Sequence, residues 1–199
     1  ALITDAGTPG ISDPGFYLVR ECHRNGIEVN VLPGASAVLP ALVASGLPCD
    51  RFVFEGFLPA KKGRNTRLDA VAQELRTVVL YESPHRIVHS LTSIVATLGE
   101  DRQVVMAREV TKTFETFLSG PAAEVLATVI ADANQQKGEI VLMCHGYRTY
   151  EDAGVSAQAL ETLRLLSQEL PLKKASALAA QIHGLKKNAL YKLGLELDL

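Results

Sequence analysis

The spacing of apolar residues in the first part of the chain predicts a helix, a strand and a second helix. The helix covers Phe16 to Asn25, the strand Glu28 to Leu32, and the second helix begins at Ser36 and ends near Ser45. The inward face predicted for the first helix consists of Phe16, Val19 and Cys22 or His23. Gly26 and Gly46 follow the two helices, as is typical of helix ends that need a left-handed residue. The alternation indicates a parallel sheet covered by helices.

The middle of the chain contains a denser series of predicted strands. They are Arg51–Glu55, Thr77–Glu82, Gln103–Arg108, Glu115–Leu118 and Glu139–Cys144. The helical patterns between them cover about Asn65–Leu75, Pro84–Leu98 and Pro121–Ala133. Ser83 is expected to cap the second of these helices, with Pro84 at its first position. The short gap Glu109–Phe114 predicts a hairpin and therefore a mixed sheet.

The pattern becomes purely helical after Gly146. Ser156 is expected to cap a helix that runs to about Glu169, and further helices are predicted over Lys173–His183 and Asn188–Leu197. Gly184 ends the second helix, and the last two helices are typical of a helix-turn-helix.

The predicted fold class is therefore α/β, with two α/β domains and a small C-terminal helical domain. We expect the domains to cover residues 1–47, 50–147 and 155–199. The chain opens at Ala1 in what is predicted to be the last part of a strand. We therefore expect the first domain to be incomplete, with a further segment preceding it.

Composition limits the class of protein. The chain is 47% hydrophobic with a net charge of −2, which indicates a folded, soluble protein rather than one that coats nucleic acid over its whole surface. No apolar run approaches the ~20 residues of a membrane span, and no secretion signal is evident. The three cysteines, Cys22, Cys49 and Cys144, are widely separated, which favours a reducing compartment over disulfides or zinc. We therefore expect a cytoplasmic protein.

Two loops have the composition of ligand-binding loops. Thr4–Gly15 contains three glycines, two prolines and two aspartates directly after an apolar run, although an ordinary strand-to-helix turn is the simpler alternative. Pro33–Ser36 follows the second predicted strand, so we expect the two loops to lie side by side at one sheet edge. Ser36 is either a plain N-cap or an exposed hydroxyl at an anion-binding helix terminus. Neither loop matches a dinucleotide or nucleoside triphosphate motif.

Polar residues also follow the later strands. They lie in Tyr81–Arg86, in the charged loop Ala107–Glu115, and in Lys137–Glu139. Each is compatible with an ordinary solvated turn or with a ligand-facing loop. His85 and His89 have metal-ligand spacing on a helix, but no third ligand is evident, so we expect no metal.

Basic residues are concentrated in two segments of this net-acidic chain. The first contains Lys61, Lys62, Arg64 and Arg67. In the second, residues 170–195 include five lysines and no carboxylate. Solvated helix faces are one interpretation, and a local phosphate-binding surface is the interpretation that we favour.

Seven motifs, in this order along the chain, resemble the tetrapyrrole methylase superfamily. The motifs are Thr4–Gly15, Leu32–Ala37, Phe54–Pro59, Tyr81–Arg86, Ala107–Lys112, Lys137–Glu139 and Leu170–Ala175. Within the superfamily they look like the bacterial family that methylates the ribose 2′-hydroxyl of a decoding-centre cytidine in 16S rRNA. The C-terminal helices also resemble the small domain appended in that family.

The resemblance implies S-adenosylmethionine bound between two α/β domains, a homodimer, and 16S rRNA of the small ribosomal subunit as substrate. The cofactor-binding residues that it implies are Asp5, Ala6, Gly7, Thr8, Pro9, Ser36, Ala37, Tyr81, Glu82, Gly138 and Glu139. The candidate bases are Glu109 and Glu82, since a ribose hydroxyl reacts only when its proton is shared. The residues expected to hold RNA phosphates are Lys61, Lys62, Arg64, Arg67, Arg108, Lys112, Lys173, Lys174, Lys186 and Lys187.

Two other functions are compatible with the same sequence. A methyltransferase acting on a tetrapyrrole-like small molecule would keep the cofactor loops, but it would have no use for the lysine-rich C-terminal helices. A noncatalytic RNA-binding module would use those helices alone and would not bind the methyl donor.

Overall fold

The computed structural model describes residues 1–60, 62–147, 155–197 and 199. These residues form two compact units, Ala1–Tyr147 and Arg148–Leu199. The predicted domains 1–47 and 50–147 both fall within the first unit, and their separation into two domains stays a prediction. Lys61, one of the predicted RNA-binding residues, lies outside the described residues.

A mixed sheet forms the centre of the first unit. Its strands are β1 Phe52–Phe57, β2 Thr77–Glu82, β3 Gln103–Arg108, β4 Thr116–Pro121 and β5 Ile140–Cys144, in the order β1-β2-β5-β3-β4. Strand β2 is parallel to β1, whereas β5 is antiparallel to both of its neighbours and β3 forms a hairpin with β4. The five strands predicted in the middle of the chain, the hairpin and the mixed sheet are confirmed.

Five helices accompany this sheet in the described part of the first unit, and all but the first of them cover its two faces. They are α1 Phe16–Arg24, α2 Val38–Ala44, α3 Arg64–Gln73, α4 Ile87–Leu98 and α5 Ala122–Ala131, with a short 3₁₀ turn at Ala133–Gln136. Helices α3, α4 and α5 pack on alternate strand residues such as Val78, Leu80 and Met106. Helix α2 packs on the intervening residues, including Val79 and Val105. This division follows from the two-residue period of a strand, which sends successive side chains to opposite faces.

The segment before α2 differs from the prediction. No strand forms over Glu28–Leu32 or at Ala1–Ile3. A strand is stable only when its backbone groups bond to a neighbouring strand, and within the described residues no hydrogen bond between two backbone groups joins 28–36 to another segment. Helix α1 forms as predicted but buries none of its residues, so its predicted inward face is wrong. Two predicted caps are also wrong, because α2 and α4 begin after Ala37 and Arg86, without a side-chain cap from Ser36 or Ser83.

Three helices form the second unit. They are α6 Ala157–Glu169, α7 Leu172–His183 and α8 Lys187–Glu196. Ser156 caps α6 by accepting from the Ala159 amide, and left-handed Gly184 ends α7, both as predicted. The helices share an apolar core that includes Leu163, Ala179 and Leu190. None of the described helices in either unit is long and apolar enough to cross a membrane.

The central position of β5 leads to a prediction about stability. Leu142, on β5, is fully buried, and Leu142→Ala should lower the free energy of unfolding by about 2–5 kcal/mol through lost contacts and a residual cavity. Leu75→Ala serves as the control, since Leu75 is exposed. Urea denaturation followed by circular dichroism measures both variants. Equal losses in the two variants would contradict the assigned core.

Candidate functional site

The polar residues at the strand ends meet at one edge of the sheet. Residues Tyr81 and Ala107, near the carboxyl ends of β2 and β3, both pair with Val141 near the amino end of β5. The antiparallel direction of β5 therefore places the 109–115 loop beside Gly138 and Glu139. We call Tyr81, Glu109, Lys112, Gly138 and Glu139 the polar edge.

Both ligand-type loops contact each other in the first unit. The Thr8 hydroxyl donates a hydrogen bond of 3.0 Å to the Ala35 carbonyl. The Ser12 hydroxyl lies 2.8 Å from where a Cβ would stand on Gly56, so the first loop also touches the end of β1. Val38, at the start of α2, belongs to the same apolar cluster as Tyr81. The loops predicted to lie side by side therefore do so, next to the end of the sheet that carries the polar edge.

A charged triad of side chains organises the polar edge. Lys112 Nζ lies 3.0 Å from Glu109 Oε1 and 3.0 Å from Glu139 Oε2. The backbone amide of Glu139 donates to the same Glu109 oxygen at 2.8 Å, and the Glu109 amide donates to the Glu139 carbonyl at 2.9 Å. The two loops are thus joined through both backbone and side chains.

Unusual backbone conformations maintain this arrangement. Glu109 and Thr111 have φ of 51° and 67°, in the left-handed region that non-glycine residues rarely occupy. Gly138, with φ of 80°, leaves room for the Glu109 carboxylate, whose atoms lie 2.5 Å from the position of a Cβ. Strain of this kind persists only where the surroundings hold it in place, and it concentrates at functional sites.

The protonation states at the polar edge follow from these contacts. The Glu139 amide, and next the Lys112 ammonium, lower the pKa of Glu109. The two carboxylates, Glu109 first, raise the pKa of Lys112. Burial, and secondarily the charge of Glu139, raises the pKa of Tyr81. At neutral pH the edge therefore presents an ionised Glu109, a charged Lys112 and a neutral phenol.

Tyr81 adds an aromatic wall on the α2 face of the sheet. Its ring lies 5.0 Å from that of Phe54 and 5.6 Å from that of Phe57, in edge-to-face and tilted arrangements. The side chain is only half-buried. A flat apolar surface beside carboxylates suits a ligand that combines an aromatic ring with positive charge.

Glu82 does not share this environment, contrary to the sequence prediction. It follows Tyr81 on β2 and so points to the opposite face, where its side chain is only 1% exposed. One carboxylate oxygen accepts from the Ser83 amide and pairs with Arg86, and the other accepts from the Ser90 hydroxyl. With both oxygens bonded and no access to solvent, Glu82 is neither a free base nor a wall of the polar edge.

Two of the predicted phosphate-binding arginines are also buried. Arg64 is 4% exposed and Arg108 is 7% exposed. Arg108 donates to the Phe114 carbonyl and the Thr116 hydroxyl, so it secures the hairpin rather than facing a phosphate. Arg67 is exposed but forms an ion pair with Glu55 at 2.7 Å. The remaining predicted cations in the described residues are exposed: Lys62, Lys112, Lys173, Lys174, Lys186 and Lys187.

Helical periodicity predicts the burial of Arg64 and of one further residue, Ser90. Arg64, Leu68 and Val71 occupy i, i+4 and i+7 of α3, all buried. On α4 the buried positions include Ile87, Ser90 and Leu91, so a single hydroxyl stands in an apolar stripe. Sequence reasoning did not select Ser90, although it bridges Arg64 and Glu82.

No metal cluster is found among the described residues: none of their His, Cys, Asp and Glu side chains form a group of three or more suited to a metal ion. His85 and His89, the pair with metal spacing, are both exposed.

Comparisons with known proteins identify the class. Residues 1–126 match the family model described as tetrapyrrole (corrin/porphyrin) methylases, and residues 153–198 match one described as the RsmI C-terminal HTH domain. Among solved structures, a cobalt precorrin-4 methyltransferase of cobalamin biosynthesis superposes with a TM-score of 0.53 at 15% identity, over 70% of this chain and 61% of that one. That similarity shows the fold, and this chain covers less than two thirds of that structure's length. The class is a tetrapyrrole methylase fold with an appended helical domain.

Proteins of similar sequence identify the family within this class. "Ribosomal RNA small subunit methyltransferase I" of Escherichia coli O157:H7 is 58% identical over 98% of this chain and 68% of its own length. The protein of the same name from Vibrio cholerae is 56% identical over 98% of this chain and 68% of its own length. The chain belongs to the ribosomal RNA small subunit methyltransferase I family. The resemblance recognised from the motifs is confirmed.

The crowding at Gly138 leads to a prediction about the triad. Gly138→Ala would force the Glu109 carboxylate away from the Glu139 amide. The pKa of Glu109 should then rise toward its ordinary value of 4.5, because its largest stabilising contact is lost. NMR titration of the Glu109 carboxyl measures this change.

Gly46→Ala is the matched control. Gly46 has a similar φ of 73° but open space around its Cβ position, so it should cost only about 1 kcal/mol of left-handed strain and leave the Glu109 titration unchanged. An unchanged Glu109 pKa in Gly138→Ala would show that the carboxylate does not depend on the glycine.

Proposed function

We propose that this protein transfers a methyl group from S-adenosylmethionine to the ribose 2′-hydroxyl of a cytidine in 16S rRNA. The observation that carries the proposal is the meeting of the two loops with the end of the sheet that holds the Glu109–Lys112–Glu139 triad. Membership of a ribosomal RNA methyltransferase family supports the same reaction and the same donor.

The residues present fit a cationic, adenine-containing cofactor. Asp5 and Glu139 are exposed carboxylates, and Tyr81, whose charge environment includes Glu139, forms a partly exposed aromatic surface with Phe57. The backbone of Asp5–Pro9, together with Ser36 and Ala37, would hold the cofactor from the loop side, and Tyr81, Gly138 and Glu139 from the sheet side. S-adenosylmethionine, when bound, supplies a methyl group activated by a positively charged sulfur.

Glu109 is the residue best placed to share the proton of the attacking hydroxyl. The two hydrogen bonds that its carboxylate accepts, from Lys112 and from the Glu139 amide, both end on Oε1. Among the described residues no hydrogen bond reaches Oε2. The lowered pKa keeps the carboxylate ionised at neutral pH but makes it a weak base, so Oε2 would share the proton of the hydroxyl in the transition state. Alignment of the hydroxyl, rather than strong basicity, would supply most of the rate enhancement. Lys112, half-exposed beside it, would steer a phosphate toward the edge.

The second unit carries lysines where helix stability disfavours them. Lys173 and Lys174 stand in the first turn of α7, and Lys186 and Lys187 at the start of α8, with no acidic residue in either first turn. The helix dipole is positive at these termini, so the lysines raise the local positive potential instead of balancing it. Such a surface is unfavourable for the isolated fold and favourable for binding an RNA backbone. We infer that these two helix starts hold phosphates.

A homodimer and a cytoplasmic location complete the proposal, in line with the family resemblance. The exposed apolar side chains of the first unit support a protein interface, since large apolar residues left exposed on a surface often mark a site of interaction. They include Phe16, Tyr17, Leu18, Val31 and Leu32. Sedimentation velocity of the protein tests the dimer.

Two measurements test the proposed reaction. Calorimetry should detect S-adenosylmethionine binding, and mass spectrometry of 16S rRNA nucleosides should detect 2′-O-methylcytidine after incubation with the protein and small subunits. Donor binding with methylation of a tetrapyrrole but not of RNA would identify the small-molecule enzyme. RNA binding without donor binding would identify a noncatalytic module.

Replacing the candidate base should separate chemistry from cofactor binding. Glu109→Gln should lower kcat by about 10²–10⁴-fold if the carboxylate shares the proton, while the Kd for S-adenosylmethionine changes little. Glu124→Gln, on the surface of α5, is the control and should retain wild-type turnover. Methylation by Glu109→Gln at the rate of the control would remove Glu109 as a base.

The lysines of α8 should show opposite effects on stability and RNA binding. Replacing Lys186 and Lys187 with Gln removes charges that the helix dipole disfavours, so the Tm should stay level or rise. RNA binding should weaken, and the slope of log Kd against log salt should fall by about 0.7 per lost phosphate contact. Filter binding over a salt series measures the slope.

Arg164→Gln provides the control, since Arg164 is exposed on α6, away from both helix starts in sequence. An unaltered slope in the double variant would contradict the phosphate assignment.

A further inference from the structure

A buried polar network links α3, β2 and α4 on the face of the sheet opposite Tyr81. At its centre, Glu82 accepts from the Ser83 amide at 2.7 Å, pairs with Arg86 at 2.8 Å and accepts from the Ser90 hydroxyl. The Ser90 oxygen in turn accepts from Arg64 Nη2 at 2.8 Å. A hydroxyl both donates and accepts, so Ser90 connects a carboxylate to a guanidinium that the carboxylate does not itself reach.

Both arginines of the network also donate hydrogen bonds to carbonyls in the same stretch of backbone. Arg86 Nη1 donates to the Leu58 carbonyl at 3.3 Å, and Arg64 Nη1 donates to the Pro59 carbonyl at 3.3 Å. These two carbonyls follow β1 directly. Two guanidinium groups, both oriented through Glu82, therefore hold the chain where it leaves the sheet.

Core stability alone does not account for this arrangement. Ser90 lies in the apolar stripe of α4, and a fully apolar set of side chains at positions 64, 82 and 90 would pack there without desolvating charged groups. Replacement of buried ionic groups by apolar ones is often neutral or stabilising. The network instead provides fixed geometry, because the planar guanidinium sets the direction of each hydrogen bond.

The described residues next to these carbonyls carry exposed positive charge. Lys62 lies between the Pro59 carbonyl and the start of α3, and Arg67 lies on the first turns of α3. Both are exposed, and Arg67 is paired with Glu55 on β1. Glu82 follows Tyr81 directly on β2. The strand therefore places Tyr81 on one face of the sheet, and on the other face it holds the basic residues through Glu82 and the arginines.

We propose that Glu82, acting through Ser90, Arg86 and Arg64, is a positioning residue for RNA capture: it fixes the backbone at Leu58 and Pro59 and the start of α3 so that Lys62 and Arg67 meet the phosphates of the substrate. The inference rests on the proposed RNA substrate. It assigns to the network no contact with the methyl donor, which the loops and the polar edge would hold on the other side.

Ser90→Ala tests the proposal, because it removes the link without removing a charge. We expect the KM for small-subunit RNA to rise about tenfold, the Kd for S-adenosylmethionine to stay within twofold, and kcat at saturating RNA to change less than KM. Ser93→Ala is the matched control, since the Ser93 hydroxyl donates only to the His89 carbonyl one turn back on the same helix. It should behave as wild type.

Glu82→Gln is the second variant, since it keeps the shape of the side chain and removes the charge that orients Arg86. It should reproduce the same separation of RNA and donor affinities. RNA affinity equal to that of Ser93→Ala, or parallel losses of RNA and donor affinity, would overturn the positioning role. Loss of the folded state in both variants would show that the network is needed for folding, and it would also overturn the positioning role. If the wild-type protein binds the donor but neither binds nor methylates RNA, the proposed function itself fails.

Discussion

Insertion of β5, antiparallel, between β2 and β3 is the constraint on which the site depends. Its register pairs Val141 with both Tyr81 and Ala107, which brings the amino end of β5 to the carboxyl ends of its neighbours. The 109–115 loop and Glu139 then face each other closely enough for one lysine to bridge two carboxylates. A parallel β5 would place Glu139 at the far end of the sheet, and the polar edge would not exist.

The alternation of side chains along β2 divides two tasks between neighbouring residues. Tyr81 faces α2 and the loops, while Glu82 faces α4 and joins the arginines that hold the segment after β1. Under the proposed function, ribosomal RNA is held at several points of its backbone, whereas methyl transfer requires the alignment of one hydroxyl. Separate faces of one strand allow the two requirements to be met with little interference.

Residues with strong local signals were predictable. The strands of the sheet and the ends of α6 and α7 follow from periodicity and from Ser156 and Gly184. The strand expected at Glu28–Leu32 does not form, because a strand needs a neighbouring strand to pair with and the sequence of the segment alone does not supply one. Arg64 was predicted to hold an RNA phosphate, although its spacing from Leu68 and Val71 places it on the buried side of α3. The position of Arg64 in the helical repeat of α3, rather than its place in a cluster of basic residues, therefore decides its burial.

The sequence by itself determined the family, the types of element and the groups available for chemistry, because these depend on residue identity and on spacing within short segments. Only the tertiary structure decided which of those groups meet. Glu109 and Glu82 are both carboxylates near the end of a strand, yet Glu109 lies on the polar edge with one oxygen that accepts no hydrogen bond from the described residues, whereas Glu82 is enclosed by arginines and Ser90. That difference arises from the strand face and from pairing across distant segments, which no local pattern encodes.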